Sequence, residues 1–151
     1  MDVRDLGGRT ALVTGAASGI GRATALDVDD TGLDAVEEEI RSLGREVLAR
    51  RVDVGSREQV GALAAEVHSR VEAVDLLVNN AGVGLGALFL DTSLEDWEWI
   101  VRINLFGVIH GCHFFVPAMV KRGTGGHVVN VASAAAYAPL PAQSAYAATK
   151  F

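Results

Sequence analysis

Thr10-Ala11-Leu12-Val13-Thr14-Gly15-Ala16-Ala17-Ser18-Gly19-Ile20-Gly21 is the stretch on which the fold turns. A short apolar run that feeds three glycines and then a helix start is a phosphate-cradle pattern. Glycine lets the backbone turn tightly and approach a ligand without a Cβ in the way, and a helix N-terminus offers free N–H groups and a positive dipole end. Pyrophosphate is the natural guest. The spacing is Gly-x-x-x-Gly-x-Gly, looser than Gly-x-Gly-x-x-Gly, and no Gly-Lys-Ser/Thr follows, which argues against a P-loop. By itself the motif is also compatible with a plain tight turn.

The rest of the chain narrows the choice. Its 151 residues, 50% of them hydrophobic, can bury one sizeable core and point to a single globular domain. A net charge of −6 argues against a nucleic-acid surface, which needs clustered Lys and Arg, and favours a small or neutral partner. Cys112 is the single cysteine and cannot form an internal disulfide. The opening Met-Asp-Val-Arg-Asp-Leu has no apolar signal region, so a reducing cytoplasm is the expected compartment. No uninterrupted run of about 18 apolar residues occurs, so no membrane span is expected.

Strands and helices are expected to alternate. The pattern predicts a strand over about Arg9 to Thr14 and a helix from Ser18 or Gly19 to at least Leu26. An acidic, turn-like segment, Asp27 to Gly32, then leads to an amphipathic helix with Leu33, Val36, Ile40 and Leu43 as its apolar stripe and Gly44 at its end. Only five residues separate Gly21 from Asp27. About seven helical residues rise only about 10 Å, too little to return to a sheet and run a second strand. A segment is therefore expected to be missing between Leu26 and Asp27. Beyond it, Glu46 to Val54 reads as a strand, Ser56 caps a helix to about Val71, and Val74 to Asn79 is another strand.

Asn79-Asn80-Ala81-Gly82 closes that strand at the carboxyl edge, where open α/β sheets bind ligands, although the same residues also suit an ordinary turn. Thr92 or Ser93 starts a long helix, with Glu95 and Asp96 in its first turn, running toward Pro117 and Met119. It is apolar on many sides, which fits either burial or docking on a second subunit. Asn104 sits inside it, and a poor helix former there implies that its side chain or carbonyl is used, or that it is simply solvated. His110, Cys112 and His113 lack the acidic neighbours a metal centre needs, so no metal is expected. Gly125 and Gly126 turn the chain into a strand, His127 to Ala132, of the kind found centrally in parallel sheets, ended by Ser133.

From Ser144 the sequence is Ser-Ala-Tyr146-Ala-Ala-Thr-Lys150, and residues four apart on a helix share a face. A neighbouring ammonium stabilises phenolate, which would make Tyr146 usable as an acid or base.

Thr14-Gly15-x-x-x-Gly19-Ile20-Gly21, Asn79-Asn80-Ala81-Gly82, Asn104, Ser133 and Tyr146-x-x-x-Lys150 come in an order that resembles the short-chain dehydrogenase/reductase family over nearly the whole chain. The resemblance implies a Rossmann-type, doubly wound parallel sheet in three layers and hydride transfer between nicotinamide and a carbonyl/alcohol pair. It implies Tyr146 as general acid/base and Ser133 as hydrogen-bond donor to the substrate oxygen. Lys150 would bind the nicotinamide ribose, and Asn104 would hold a relay water. Gly15, Ser18, Gly19, Ile20 and Gly21 would take the pyrophosphate, Asp53 and Val54 would border the adenine, and Asn80, Ala81 and Gly82 would line the cofactor. NAD is favoured over NADP, because Ser18 stands where NADP users often carry a cation and Asp27 would accept from ribose hydroxyls and repel a phosphate. Against that family the chain is expected to be one domain over 1–151, the N-terminal portion of such an enzyme. Its second strand and the C-terminal, pocket-forming part are then absent. A small-molecule substrate, and a homodimer or homotetramer through the helix around 94–120, complete the expectation. The alternative is a non-catalytic nucleotide-binding or interaction fragment.

Overall fold

The computed structural model describes residues 8–16, 26–27, 29–138 and 140–151. Ser18, Gly19, Ile20 and Gly21, with the body of the helix expected to follow them, lie outside the described residues.

Buried Leu12 and Val13 anchor β1 (Ala11–Val13). It pairs in parallel with β4 (Leu76–Asn79), which pairs in parallel with β5 (His127–Asn130); Leu12 stands opposite Leu77, and Leu77 opposite Val128. Parallel neighbours need long crossovers, and helices supply them here. A second, two-stranded sheet joins β2 (Leu26–Asp27) to β3 (Arg50–Arg51), again in parallel, with Asp27 opposite Arg51.

This differs from the sequence expectation in three ways. A strand of two residues straddles the very junction where none was expected to fit, so the helix expected as far as Leu26 does not include that residue. The strand expected over Glu46 to Val54 shrinks to Arg50–Arg51, because its partner offers only two residues to pair with. Among the described residues no ladder joins β2 to β1, so the strand order reads 3-2 and 1-4-5. Set side by side, these two parts give the 3-2-1-4-5 order of a doubly wound sheet.

The acidic segment expected as a turn instead begins α1 (Asp30–Ser42), with the Leu33 N–H donating to Asp29 O at 3.1 Å. Acidic residues suit the positive end of a helix. Leu33 and Val36 bury against Ala16, and Ile40 packs on them, whereas Leu43 falls past the last helical residue and is exposed. The main core gathers Val60, Leu63, Ala64 and Val67 of α2 (Arg57–His68) with Leu12, Val52, Val74, Leu77, Phe115 and Met119. Ser56 caps α2 as expected, its Oγ accepting from Gln59 N.

The long helix is interrupted. It comprises α3 (Leu94–Val101), a π-helical turn over Arg102–Phe106 and α4 (Gly107–Arg122). Ser93 and Asp96 cap its start reciprocally, at 3.0 and 3.2 Å. The π turn centres on Asn104, and such bulges recur where a helix serves a site. By length and composition the run Leu94–Arg122 would suffice to cross a membrane, because scattered polar residues hardly lower its mean hydropathy. In this fold it packs against α2, β4 and α5 (Ser144–Lys150). Val128 and Val129 of β5 are exposed rather than central, since no strand lies on its far side among the described residues.

Candidate active site

The carboxyl ends of β1 and β4 are stitched together. Thr14 Oγ1 accepts from the N–H groups of Asn80 and Ala81 at 3.0 and 2.9 Å. The Asn80 amide donates to both Thr14 O and Gly15 O at 2.9 Å. Gly15 has φ +66°, and a Cβ there would stand 2.7 Å from Ala81 Cα. Its missing side chain therefore lets two turns touch, a use beyond the close approach to phosphate that the sequence suggests.

A second cluster forms around the π turn. Asn104 Oδ1 accepts from Val83 N at 2.8 Å, while Nδ2 donates to Val83 O at 2.9 Å and to Thr149 Oγ1 at 3.0 Å. Both amide protons are thus engaged, leaving one Oδ1 lone pair as the side chain's remaining acceptor. Thr149 in turn donates to Tyr146 O at 2.8 Å. Lys150 Nζ donates to Val131 O at 3.3 Å and lies 5.9 Å from the Tyr146 ring centroid, so the pair does share a face. A Cβ on Gly82 would stand 3.3 Å from Asn104 Oδ1 and 3.4 Å from Lys150 Nζ. Four of the sequence candidates, Gly82, Asn104, Tyr146 and Lys150, are therefore neighbours.

Ser133 follows β5 in extended backbone and caps the short 3-10 turn Ala134–Ala136, its Oγ accepting from Ala135 N at 3.2 Å. Among the described residues nothing accepts its hydroxyl proton, and the turn it caps packs on α5. Asp53 and Val54 sit in the loop between β3 and α2, where Asp53 Oδ2 meets Arg102 Nη1 at 2.5 Å and Oδ1 accepts from Gly55 N at 2.8 Å. Burial works against the Asp53 charge, but the Arg102 hydrogen bond and the Gly55 N–H outweigh it and hold the carboxyl below the usual aspartate range. Asp27 ends β2 opposite Arg51, and its side chain lies outside the described set.

The residues weighed for metal binding have other engagements. His110 Nδ1 bonds Val54 O at 2.9 Å, Cys112 Sγ accepts from Asn79 Nδ2 at 3.6 Å, and His113 meets Phe114 edge to face. Among the described residues no three His, Cys, Asp or Glu gather into a group that could hold a metal.

Sequence reasoning missed the connecting groups Val83, Arg102 and Thr149, and quoted Thr14 in the glycine motif without the bonds it makes. Thr149 had a visible signal, standing three residues after Tyr146 on the same helix. Val83 contributes only its backbone, for which a sequence carries no mark.

The family model described as short chain dehydrogenase matches residues 9–151. A probable oxidoreductase, EphD, of Mycobacterium tuberculosis is 43% identical over 150 residues, covering 91% of this chain and 25% of that protein. A short-chain dehydrogenase/reductase of Burkholderia phymatum, solved in complex with NAD, superposes with a TM-score of 0.91 at 37% identity, covering 95% of this chain and 55% of that one. A gluconate 5-dehydrogenase of Burkholderia cenocepacia, solved with NADP and tartrate, gives 0.86 at 31% identity, covering 95% and 60%. The chain thus spans a quarter to about three fifths of the length of these relatives. Because the family model matches residues 9–151 and a solved family member superposes at 37% identity with a TM-score of 0.91, the chain belongs to the short-chain dehydrogenase family.

Proposed function

We propose that this chain supplies the cofactor-binding and proton-handling part of an NAD(P)-dependent oxidoreductase acting on a carbonyl/secondary alcohol pair. The observation that carries the reading is the meeting of Tyr146, Lys150, Asn104 and Gly82 beside the carboxyl ends of the strands. The residues suit a dinucleotide: Gly82 keeps a strip open alongside the Lys150 ammonium where a Cβ would crowd it, and that ammonium has donors to spare for ribose hydroxyls. A bound nicotinamide supplies the hydride acceptor or donor.

In the oxidative direction Tyr146 Oη takes the proton of the substrate hydroxyl as the hydride leaves the carbon, and the reduction reverses both transfers. Ser133 donates its hydroxyl proton to the same substrate oxygen. Lys150 places positive charge beside Tyr146, offsetting the negative charge that forms on the phenol oxygen. Asn104 offers its remaining Oδ1 lone pair to a relay water. Gly15, Ser18, Gly19, Ile20 and Gly21 hold the pyrophosphate, Asp53 and Val54 the adenine, and Asn80, Ala81 and Gly82 the nicotinamide side. NAD is the preferred cofactor, argued from Ser18 and from Asp27 at the end of β2, and relatives solved with either NAD or NADP support a nicotinamide cofactor in general.

The test uses the intact protein, with NADH or NADPH and a panel of carbonyl compounds. Turnover with NADH is expected, and Tyr146→Phe should lower kcat by about 10²- to 10⁴-fold while NADH affinity measured by fluorescence holds. A clear NADPH preference would reverse the cofactor assignment. NADH binding without turnover on any compound would favour a non-catalytic nucleotide-binding role.

A further inference from the structure

The loop Asp53-Val54-Gly55 is gripped by one helical run. Besides the 2.5 Å bond from Arg102 to Asp53 Oδ2, the Arg102 side chain lies over Gly55: a Cβ there would stand 2.5 Å from Nη1 and 2.8 Å from Cγ. A Cβ on Gly107 would stand 2.8 Å from Val54 Cγ2, and His110 holds the Val54 carbonyl. From the α2 side Gln59 Oε1 accepts from Asp53 N at 2.9 Å. The loop cannot tilt without breaking several of these contacts together.

The Asp53 carboxylate is fixed but not saturated. Each oxygen has about two acceptor directions, and one on each is used, by Arg102 and by Gly55. The side chain keeps 32% of its surface exposed, so a further donor can reach it. An amino group satisfies such a carboxylate, whereas a carbonyl oxygen turned toward it sets lone pairs against a fixed negative charge.

We propose that Arg102 is a positioning residue for base recognition: by fixing the direction of the Asp53 carboxylate, it makes the site prefer a dinucleotide whose purine bears a 6-amino group over one bearing a 6-oxo group. The inference rests on the dinucleotide reading above and adds to it a residue from the helix that also carries Asn104. A mobile carboxylate would turn away from an unfavourable oxygen and recruit water; one held by Arg102 and Gly55 cannot.

Calorimetric Kd values for NAD and for nicotinamide hypoxanthine dinucleotide, measured on the intact protein, test this without any turnover. The wild type should prefer NAD by about tenfold, the worth of a hydrogen bond to a charged group, and Arg102→Met should bring the ratio to within about twofold. In an Asp53→Asn background, Arg102→Met should leave the ratio where it is. Equal losses for both dinucleotides in Arg102→Met would mark Arg102 as merely structural and overturn the proposal, as would a wild type without preference. Arg102→Gln serves if Arg102→Met does not fold: a collapsed ratio supports the proposal, and an unchanged one overturns it. A wild type that binds neither dinucleotide overturns the dinucleotide reading itself, a different failure.

Discussion

At the scale of single residues, the site depends on atoms that are absent as much as on those present. Gly15 combines a left-handed φ of +66° with 2.7 Å from a would-be Cβ to Ala81 Cα, a backbone atom that cannot swing aside. Gly15→Ala should therefore cost about 2–4 kcal/mol, the strain of the conformation plus displacement of the neighbouring turn, read as a lowered urea midpoint. By contrast Gly44, with a φ of +70°, has nothing within 4 Å of its would-be Cβ, so Gly44→Ala should cost only the conformational strain, about 1 kcal/mol. Gly15, Tyr146, Lys150 and Asn104 were all legible as residues worth singling out, since each is an odd choice for its position or recurs at helical spacing. What could not be read was their partners: Asn104 spends its amide on Val83 and Thr149, and nothing local to Asn104 encodes either.

At the scale of elements, the amino ends of the strands are locked by one carboxylate. Asp75, just before β4, accepts from Thr10 N at 3.0 Å and from Arg9 at 3.3 Å, and forms an ion pair at 3.1 Å with Arg122, at the end of α4. Arg122 also donates to Ala73 O and Gly125 O, so the entries to β1, β4 and β5 converge there. Burial opposes the Asp75 charge, but Thr10, Arg122 and Arg9 prevail and hold the carboxyl below the usual aspartate range. A folded-state value below the unfolded one, about 3.9, stabilises the fold fully above that pH and loses its contribution as pH falls through the folded value. Asp75→Asn should thus lower stability by about 1–3 kcal/mol at pH 7, and the gap from wild type should hold down to about pH 5 and close below about pH 4. Urea titrations at several pH values measure it; a gap that widens on acidification would contradict the assignment. Most elements were legible from periodicity and capping, including Ser56 and Ser93, but their lengths were not. β3 was overestimated because strand length is set by a partner, and the partner is the two-residue β2.

At the scale of the whole molecule, the long helical run leaves part of its surface uncovered. Part of that surface is apolar and continuous: Leu105, Phe106 and Ile109 on the π turn and α4 are 44%, 47% and 46% exposed. We infer that this face is covered by a second copy of the chain, as the apolar character of the helix suggests. Ile109→Glu should shift the sedimentation of the intact protein toward monomer while leaving its circular dichroism unchanged; a wild type that sediments as a monomer would refute the inference. The sequence by itself determined the strand-helix alternation, the turn at Gly15 and the Tyr146-Lys150 face, because these follow from periodicity and from residue chemistry over short spans. Only the tertiary structure decided that β2 pairs with β3, that Asn104 lies in a π turn, and that Arg102 reaches Asp53. Those depend on contacts between residues far apart in the chain, whose geometry is settled by packing rather than by any local preference.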